Sequence, residues 1–432
     1  MKKVFLRVFA GFLAAAFMAA SVSYAGTTEI ASKDSNSKPG NGNSNEPAIS
    51  ADGRYVAFES RAGNLVQGDT NDKMDIFIYD RQTGETNIIS KDSSGMLGNN
   101  DSRKPSISAD GRYVAFQSEA GNLSPDDING RSDVFVHDRQ TGKTKIISKN
   151  SSGTLGNGFS DKPAISADGR FVAFESEAGN LVPGDTNGMM DVFVHDRQTG
   201  KTKIISKNSK GKLGNNHSAQ PAISADGRFV AFHSTADNLA PNDKNGMADI
   251  FIHDRQTGAT KIISKSSAGK QGNGGSYIPV MSADGRYVAF ESGADNLVKG
   301  DTNGKSDVFV HNRKTGVTEI ISVDSNGKLG NNNSYEPSIS DDGRYVAFAS
   351  EADNLVPGDT NGKSDAFAHD RQTGKTKIVS VDSAGNQQNN GGLCSNPAVS
   401  KDGRYVAFES EAGNLVPGDT NGKSDVFVHD RY

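Results

Sequence analysis

The stretch Pro163 to Gln220, PAISADGRFVAFESEAGNLVPGDTNGMMDVFVHDRQTGKTKIISKNSKGKLGNNHSAQ, recurs with light editing along most of the 432-residue chain. Its opening proline returns at Pro47, Pro105, Pro163, Pro221, Pro279, Pro337 and Pro397, in five steps of 58 residues and one of 60. A fixed period of this length marks one supersecondary unit repeated seven times, and no single unit can bury its apolar face alone.

Inside a unit, PAIS is a short extended run behind a proline, and Ala-Asp-Gly-Arg is a turn with glycine placed for positive φ. RFVAFES alternates and is rich in Val and Phe, which predicts a second strand. A Gly/Asn/Asp/Pro loop follows, then the β-branched and aromatic run DVFVHD, the tight turn Asp-Arg-Gln-Thr-Gly and a fourth strand, KTKIIS. No window after residue 25 shows helical periodicity. Seven units of four antiparallel strands predict an all-β, seven-bladed β-propeller rather than a linear array. The termini favour a ring. The last unit reaches Tyr432 after its third strand, and the text it lacks stands at the other end as Thr27 to Ser32. An N-terminal strand completing the last blade would close the ring and remove free sheet edges.

The units resemble the WD40-like (PD40-type) repeat of TolB-like β-propellers. Ser50-Ala51-Asp52-Gly53-Arg54-Tyr55-Val56-Ala57-Phe58 carries the motif and recurs in every unit, and the downstream run Asp133 to Asp138 fits as well. The resemblance covers residues 27 to 432, lacks the α/β domain of TolB itself, and implies a fold rather than a role, because propellers host unrelated functions.

Residues 1–25 read as a secretory signal: Lys2, Lys3 and Arg7 precede the apolar run Val8 to Ala20, and Ser23-Tyr24-Ala25 offers a cleavage site. That run is too short to span a bilayer, and no later segment could, so a periplasmic or secreted, monomeric propeller over residues 26–432 is expected. Loss of the three leader cations takes the formal charge from −5 to −8, which argues against a nucleic-acid or anionic-membrane surface. Cys394 is the only cysteine, stands where other units have serine, and excludes an internal disulfide.

In an up-and-down blade the two tight turns share one end and the two long loops the other, so function is expected on the long-loop face. Three candidates arise there or nearby. The triplet Asp-x-Asn-x-x-x-Asp occurs as Asp69/Asn71/Asp75, Asp127/Asn129/Asp133, Asp185/Asn187/Asp191, Asp243/Asn245/Asp249, Asp301/Asn303/Asp307, Asp359/Asn361/Asp365 and Asp419/Asn421/Asp425. Alternating oxygen side chains ahead of a turn can wrap Ca²⁺, or can bond the loop's own N–H groups. The histidines after strand three (His137, His195, His253, His311, His369, His429, with Tyr79 in the first unit) read as packing or turn residues, and the Asp-Gly-Arg trio as a turn plus an Arg–Asp pair between blades. The third candidate is the set of positions where the units disagree, just ahead of each proline: Glu46, Arg103, Lys104, Phe159, Lys162, His217, Tyr277, Ile278, Tyr335 and Glu336 among them. These are expected to ring the channel mouth and to hold a protein or carbohydrate partner. No unrepeated acid, base or nucleophile set stands out, so the expected function is a non-catalytic binding or scaffold module; the alternative is a propeller lyase or hydrolase working in the central channel.

Overall fold

The structure is a computed structural model, and it describes residues 26–389 and 394–432. The leader read at residues 1–25 lies outside the described residues. Seven four-stranded antiparallel sheets are present. Blade 1 consists of Ser44–Ile49, Tyr55–Ser60, Asp75–Asp80 and Glu85–Ile88, paired in chain order from the channel outward. Blades 2 to 6 repeat it, starting at Ser102, Ser160, Ser218, Ser276 and Ser334. Blade 7 takes three strands from the C-terminal end, Ser395–Val399, Tyr405–Ser410 and Asp425–Asp430, and its outer strand from Thr27–Ile30. Thr27 lies opposite Asp430 and Ile30 opposite Phe427, so the ring is closed by the N-terminal strand, as the split unit predicts.

A second closure lies at the tight-turn end of the channel. The second residue after each first strand donates its N–H to the carbonyl of its counterpart in the next blade: Ala51 to Ala109, Ala109 to Ala167, Ala167 to Ala225, Ala225 to Ala283, Ala283 to Asp341, Asp341 to Lys401, and Lys401 back to Ala51, at 2.9–3.1 Å. This circle ties all seven innermost strands into one girdle of main-chain bonds.

Between blades the core is built from both faces of each sheet. Phe58 and Phe77 stack across neighbouring strands with centroids 5.9 Å apart, and every blade repeats the pair. The Ser-x-Asp-Gly-Arg turn is held locally. Ser50 Oγ donates to Asp52 Oδ1 at 2.6 Å, and the Arg54 and Tyr55 N–H groups bond Asp52 and Ser50 in turn.

The Arg–Asp pair expected between blades lies within one blade. Arg54 grips Asp80 through Nε at 2.8 Å and Nη2 at 2.6 Å, because strands two and three set the two residues side by side. What joins blades on this face is a stack. Tyr55 is sandwiched between Arg54 of its own blade (4.7 Å) and Arg139 of the next (4.2 Å), the Arg of the Asp-Arg-Gln-Thr-Gly turn. Cation–π contacts of this kind contribute more when the cation is shielded from water.

The histidines after strand three pack as expected. His137 Nδ1 meets Thr144 Oγ1 of the neighbouring strand at 2.9 Å, and that hydroxyl also bonds Lys91 O in the connection from the preceding blade. Burial pushes the imidazole down to about 4, so it is neutral near pH 7. Cys394 is fully buried and burial raises its thiol well above the ordinary range, which removes it as a nucleophile.

Candidate functional site

The channel widens at the long-loop end into a cavity of about 500 Å³. Its rim is made by the residue before each repeated proline: Glu46, Lys104, Lys162, Gln220, Ile278, Glu336 and Asn396. All seven are left-handed, with φ between 47° and 53°, and each sits at a register shift in the innermost strand. A left-handed non-glycine residue is strained by about 1 kcal/mol and persists only where its surroundings demand it. Here a bond across the blade boundary holds it. Lys104 N–H donates to Glu59 Oε2 at 2.8 Å, Gln220 to Glu175 at 2.7 Å, Glu46 to Glu409 at 2.8 Å, and Lys162 to Gln117 Oε1 at 3.3 Å. In these four the acceptor comes from strand two of the preceding blade. There the bulge turns the rim side chain into the channel while its main chain is fixed to a neighbour.

Two boundaries break this pattern. At the boundary between blades 6 and 7 the strand-two position is Ala349, which has no acceptor, and Glu336 takes its place: Asn396 N–H donates to Glu336 Oε2 at 2.8 Å. Glu336 N–H itself donates to Glu291 at 3.2 Å. Burial, then the neighbouring carboxylates Glu46, Glu409 and Glu291, push Glu336 up to about 7. At the boundary between blades 4 and 5 the strand-two residue is His233, whose buried Nδ1 has no hydrogen-bond partner. Burial lowers it to about 4, and its ring meets Tyr277 edge-on at 5.5 Å.

The rim carries two carboxylates and two lysines, and the layer beneath it adds four carboxylates, Glu59, Glu175, Glu291 and Glu409. Burial raises Glu59, Glu175 and Glu291 above the ordinary carboxylate range. Lys104 opposes them. Burial works against its charge, but Glu46, with which it forms an ion pair, holds it above the usual lysine value.

Of the ten unrepeated residues expected at the mouth, Glu46, Lys104, Lys162, Ile278 and Glu336 line the cavity. Arg103, Phe159, His217, Tyr277 and Tyr335 do not. They precede the bulge; Tyr277 packs edge-on against His233 of strand two, and the other four turn to the flanking loops. Arg103 pairs with Asp101 at 2.7 Å, Phe159 lies under Arg131, His217 Nδ1 accepts Met190 N–H, and Tyr335 Oη donates to Ser364 Oγ at 2.8 Å. The residues missed are Gln220 and Asn396 on the rim, with Gln117, His233 and Ala349 behind it. The last three occupy one column of strand two that reads Glu, Gln, Glu, His, Glu, Ala, Glu from blade to blade, a disagreement inside an otherwise uniform strand.

The oxygen-rich loops use their asparagines internally. Asn71 Nδ2 donates to Asp75 Oδ2 (2.7 Å) and to Gly98 O, and its Oδ1 accepts Lys73 N–H; Asn129, Asn187, Asn245, Asn303, Asn361 and Asn421 do the same. Asp75 Oδ1 accepts Ser90 Oγ at 2.5 Å. The expected three side-chain ligands per loop are thus narrowed to two carboxylates. Among the described residues no three His, Cys, Asp or Glu side chains are arranged to hold an ion. Nor do the described residues contain a helix long and apolar enough to cross a membrane.

No family model matches the sequence, and no curated protein matches it. Solved structures do. An oligogalacturonate lyase in complex with manganese is 11% identical, with a TM-score of 0.57, covering 95% of this chain and 94% of that one. The β-propeller domain of the Trilobed protease from Pyrococcus furiosus, described as having an open velcro topology, is 14% identical at a TM-score of 0.55, covering 90% and 94%. TolB from Acinetobacter baumannii is 17% identical at 0.42; the match covers 78% of this chain and 64% of TolB, and at that score it adds nothing to the argument. Identities this low show the fold alone. They nevertheless correct the expectation of a non-catalytic module. That expectation leaned on the lack of an appended catalytic domain, and an enzyme matches this chain over nearly its full length. It leaned also on the lack of a candidate acid or base, and burial holds the Glu336 carboxyl on the rim up at about 7.

Proposed function

We propose that this chain is an exported propeller that takes a neutral or cationic carbohydrate or peptide chain end into the channel mouth and acts on it by proton transfer through Glu336. The observation that carries the reading is a rim carboxyl raised by burial to about 7, which stands in for the missing strand-two acceptor at one of the two boundaries where the blade-to-blade pattern is broken. A general acid–base group works best when its pKa lies near the operating pH. Lys104 and Lys162 supply the rim's cations, and the surrounding carboxylates set its overall sign. A polyanion such as the oligogalacturonate of the similar lyase would meet mostly like charge here, so the neighbour's substrate does not suit this rim.

The test is a panel of neutral oligosaccharides and peptides offered to the wild-type protein and to Glu336→Gln. The variant is expected to keep binding while losing on the order of a hundredfold or more in turnover, together with the limb of the pH profile near 7. A variant as active as the wild type, with the same profile, would remove Glu336 from the chemistry. Binding without turnover in both proteins would take away the catalytic half of the reading.

A further inference from the structure

In blade 4 one side chain shows what lies between the two carboxylates of the long loop. Gln271 Nε2 donates at 2.7 Å to Asp243 Oδ1 and at 2.7 Å to Asp249 Oδ2. The two acids therefore converge on a single point, and a neutral amide fills it with its two N–H groups. In blade 6 Gln387 reaches the first acid, Asp359, at 2.7 Å. In the other blades this position is leucine or proline: Leu97, Leu155, Leu213, Leu329 and Pro39. None of these can donate.

The consequence is plainest in blades 2 and 7. Asp127 is 8% exposed and its Oδ2 is buried without a partner; Asp419 is 5% exposed and its Oδ1 is likewise unpartnered. Their companions, Asp133 and Asp425, are fully buried. The companions accept a Ser donor at one oxygen and an Asn donor at the other, and in blade 4 the Asn-bonded oxygen of Asp249 accepts the Gln271 amide as well. An unpaired buried carboxylate oxygen is expensive to leave unsatisfied.

We propose that the long loops of blades 2 and 7 each bind a divalent cation of the calcium kind, between Asp127 and Asp133 and between Asp419 and Asp425, at the point that the Gln271 amide occupies in blade 4. One divalent ion neutralises the pair of acids, and main-chain carbonyls and water complete the shell of a hard cation. Calcium suits such a site better than magnesium, which demands strict octahedral geometry and dehydrates reluctantly. With only two carboxylates, the affinity belongs to the weak class of extracellular sites, a Kd on the order of 0.1–1 mM.

The test is the number of Ca²⁺ ions bound at saturation by equilibrium dialysis, on the full mature protein. Leu155→Gln installs the blade 4 amide in blade 2, and Asp419→Asn removes one acid of blade 7; each is expected to bind about one ion fewer than the wild type. Gln271→Leu takes the donor from the buried Asp243 Oδ1, leaving it unpartnered as Asp127 Oδ2 is, and is expected to bind about one ion more. Circular dichroism of each variant keeps misfolding apart from site loss, and the added site of Gln271→Leu does not depend on a destabilising change. A wild type that binds no Ca²⁺ at 5 mM, or the same stoichiometry in all three folded variants, would overturn the proposal.

Discussion

Deletion of residues 26–33 is expected to cost about 5 kcal/mol or more and to make the protein self-associate. The segment does several jobs at once. Ile30 and Ala31 are buried and belong to the clusters on the two sides of blade 7. The Ala31 N–H bonds Val426 O at 2.7 Å, and Thr28 Oγ1 meets His429 Nδ1 at 2.9 Å. Ser32 Oγ donates to the buried Asp425 Oδ1 at 2.6 Å. Losing a buried isoleucine side chain alone costs about 2–5 kcal/mol, and an acid stripped of its donor adds to that. Glu29 also holds Arg81 of blade 1 at 2.6 Å, so the seam between first and last blades opens too. The loss approaches the whole stability of an ordinary domain, about 5–15 kcal/mol. The exposed edge of Asp425–Asp430 would then be free to pair with another chain. Denaturant melts and light scattering read both effects, and the deleted peptide supplied in trans should restore part of the stability. A truncated protein that melts with the full chain and stays monomeric would contradict the closed ring.

The second large effect is confined to one carbon atom. Gly169→Ala is expected to destabilise by about 3 kcal/mol, whereas Gly142→Ala should cost about 1 kcal/mol. Both glycines are left-handed, at φ 71° and 69°, so both substitutions pay the same backbone strain. They differ in space. A Cβ on Gly142 would meet nothing within 4 Å, but one on Gly169 would lie 2.1 Å from Cδ2 of Tyr113 in the preceding blade. That ring cannot step aside, because Arg112 and Arg197 hold it from both faces at 4.8 and 4.2 Å. The difference between the two variants in guanidinium midpoint therefore reports the blade-to-blade stack. Equal midpoints would mean that the stack yields without cost.

Much of this architecture is legible in the repeats. A strand that recurs seven times averages out local ambiguity, so the strands and turns of each unit follow from alternation and from Gly, Asn and Pro. The split last unit points to closure because Thr27–Ile30 aligns with the fourth strands of the other units. The candidate site is less legible. A residue before proline is expected to be extended, and the left-handed bulge at Glu46, Lys104 and their counterparts runs against that expectation. It is imposed by an acceptor on another blade, about 45 residues away in sequence for Lys104 and Glu59, and no local pattern encodes it. The same non-locality hides the exchange at Ala349, where Glu336 serves in place of the missing strand-two acceptor. It also explains why the aromatic residues ahead of each bulge, Tyr335 and Phe159 among them, turn to flanking loops and not to the channel.

The central claim is that the unrepeated rim of the channel is where this propeller engages its ligand. The most direct measurement compares two double variants for binding to any oligosaccharide or peptide retained by the wild type. Lys162→Ala with Glu336→Gln alters the rim; Gln140→Ala with Gln198→Ala alters tight turns on the opposite face. The rim variant is expected to bind more weakly by at least about 1 kcal/mol, a factor of five or more, and the turn variant to bind as the wild type does. Unchanged binding by the rim variant together with loss in the turn variant would contradict the assignment and move the working surface to the tight-turn face.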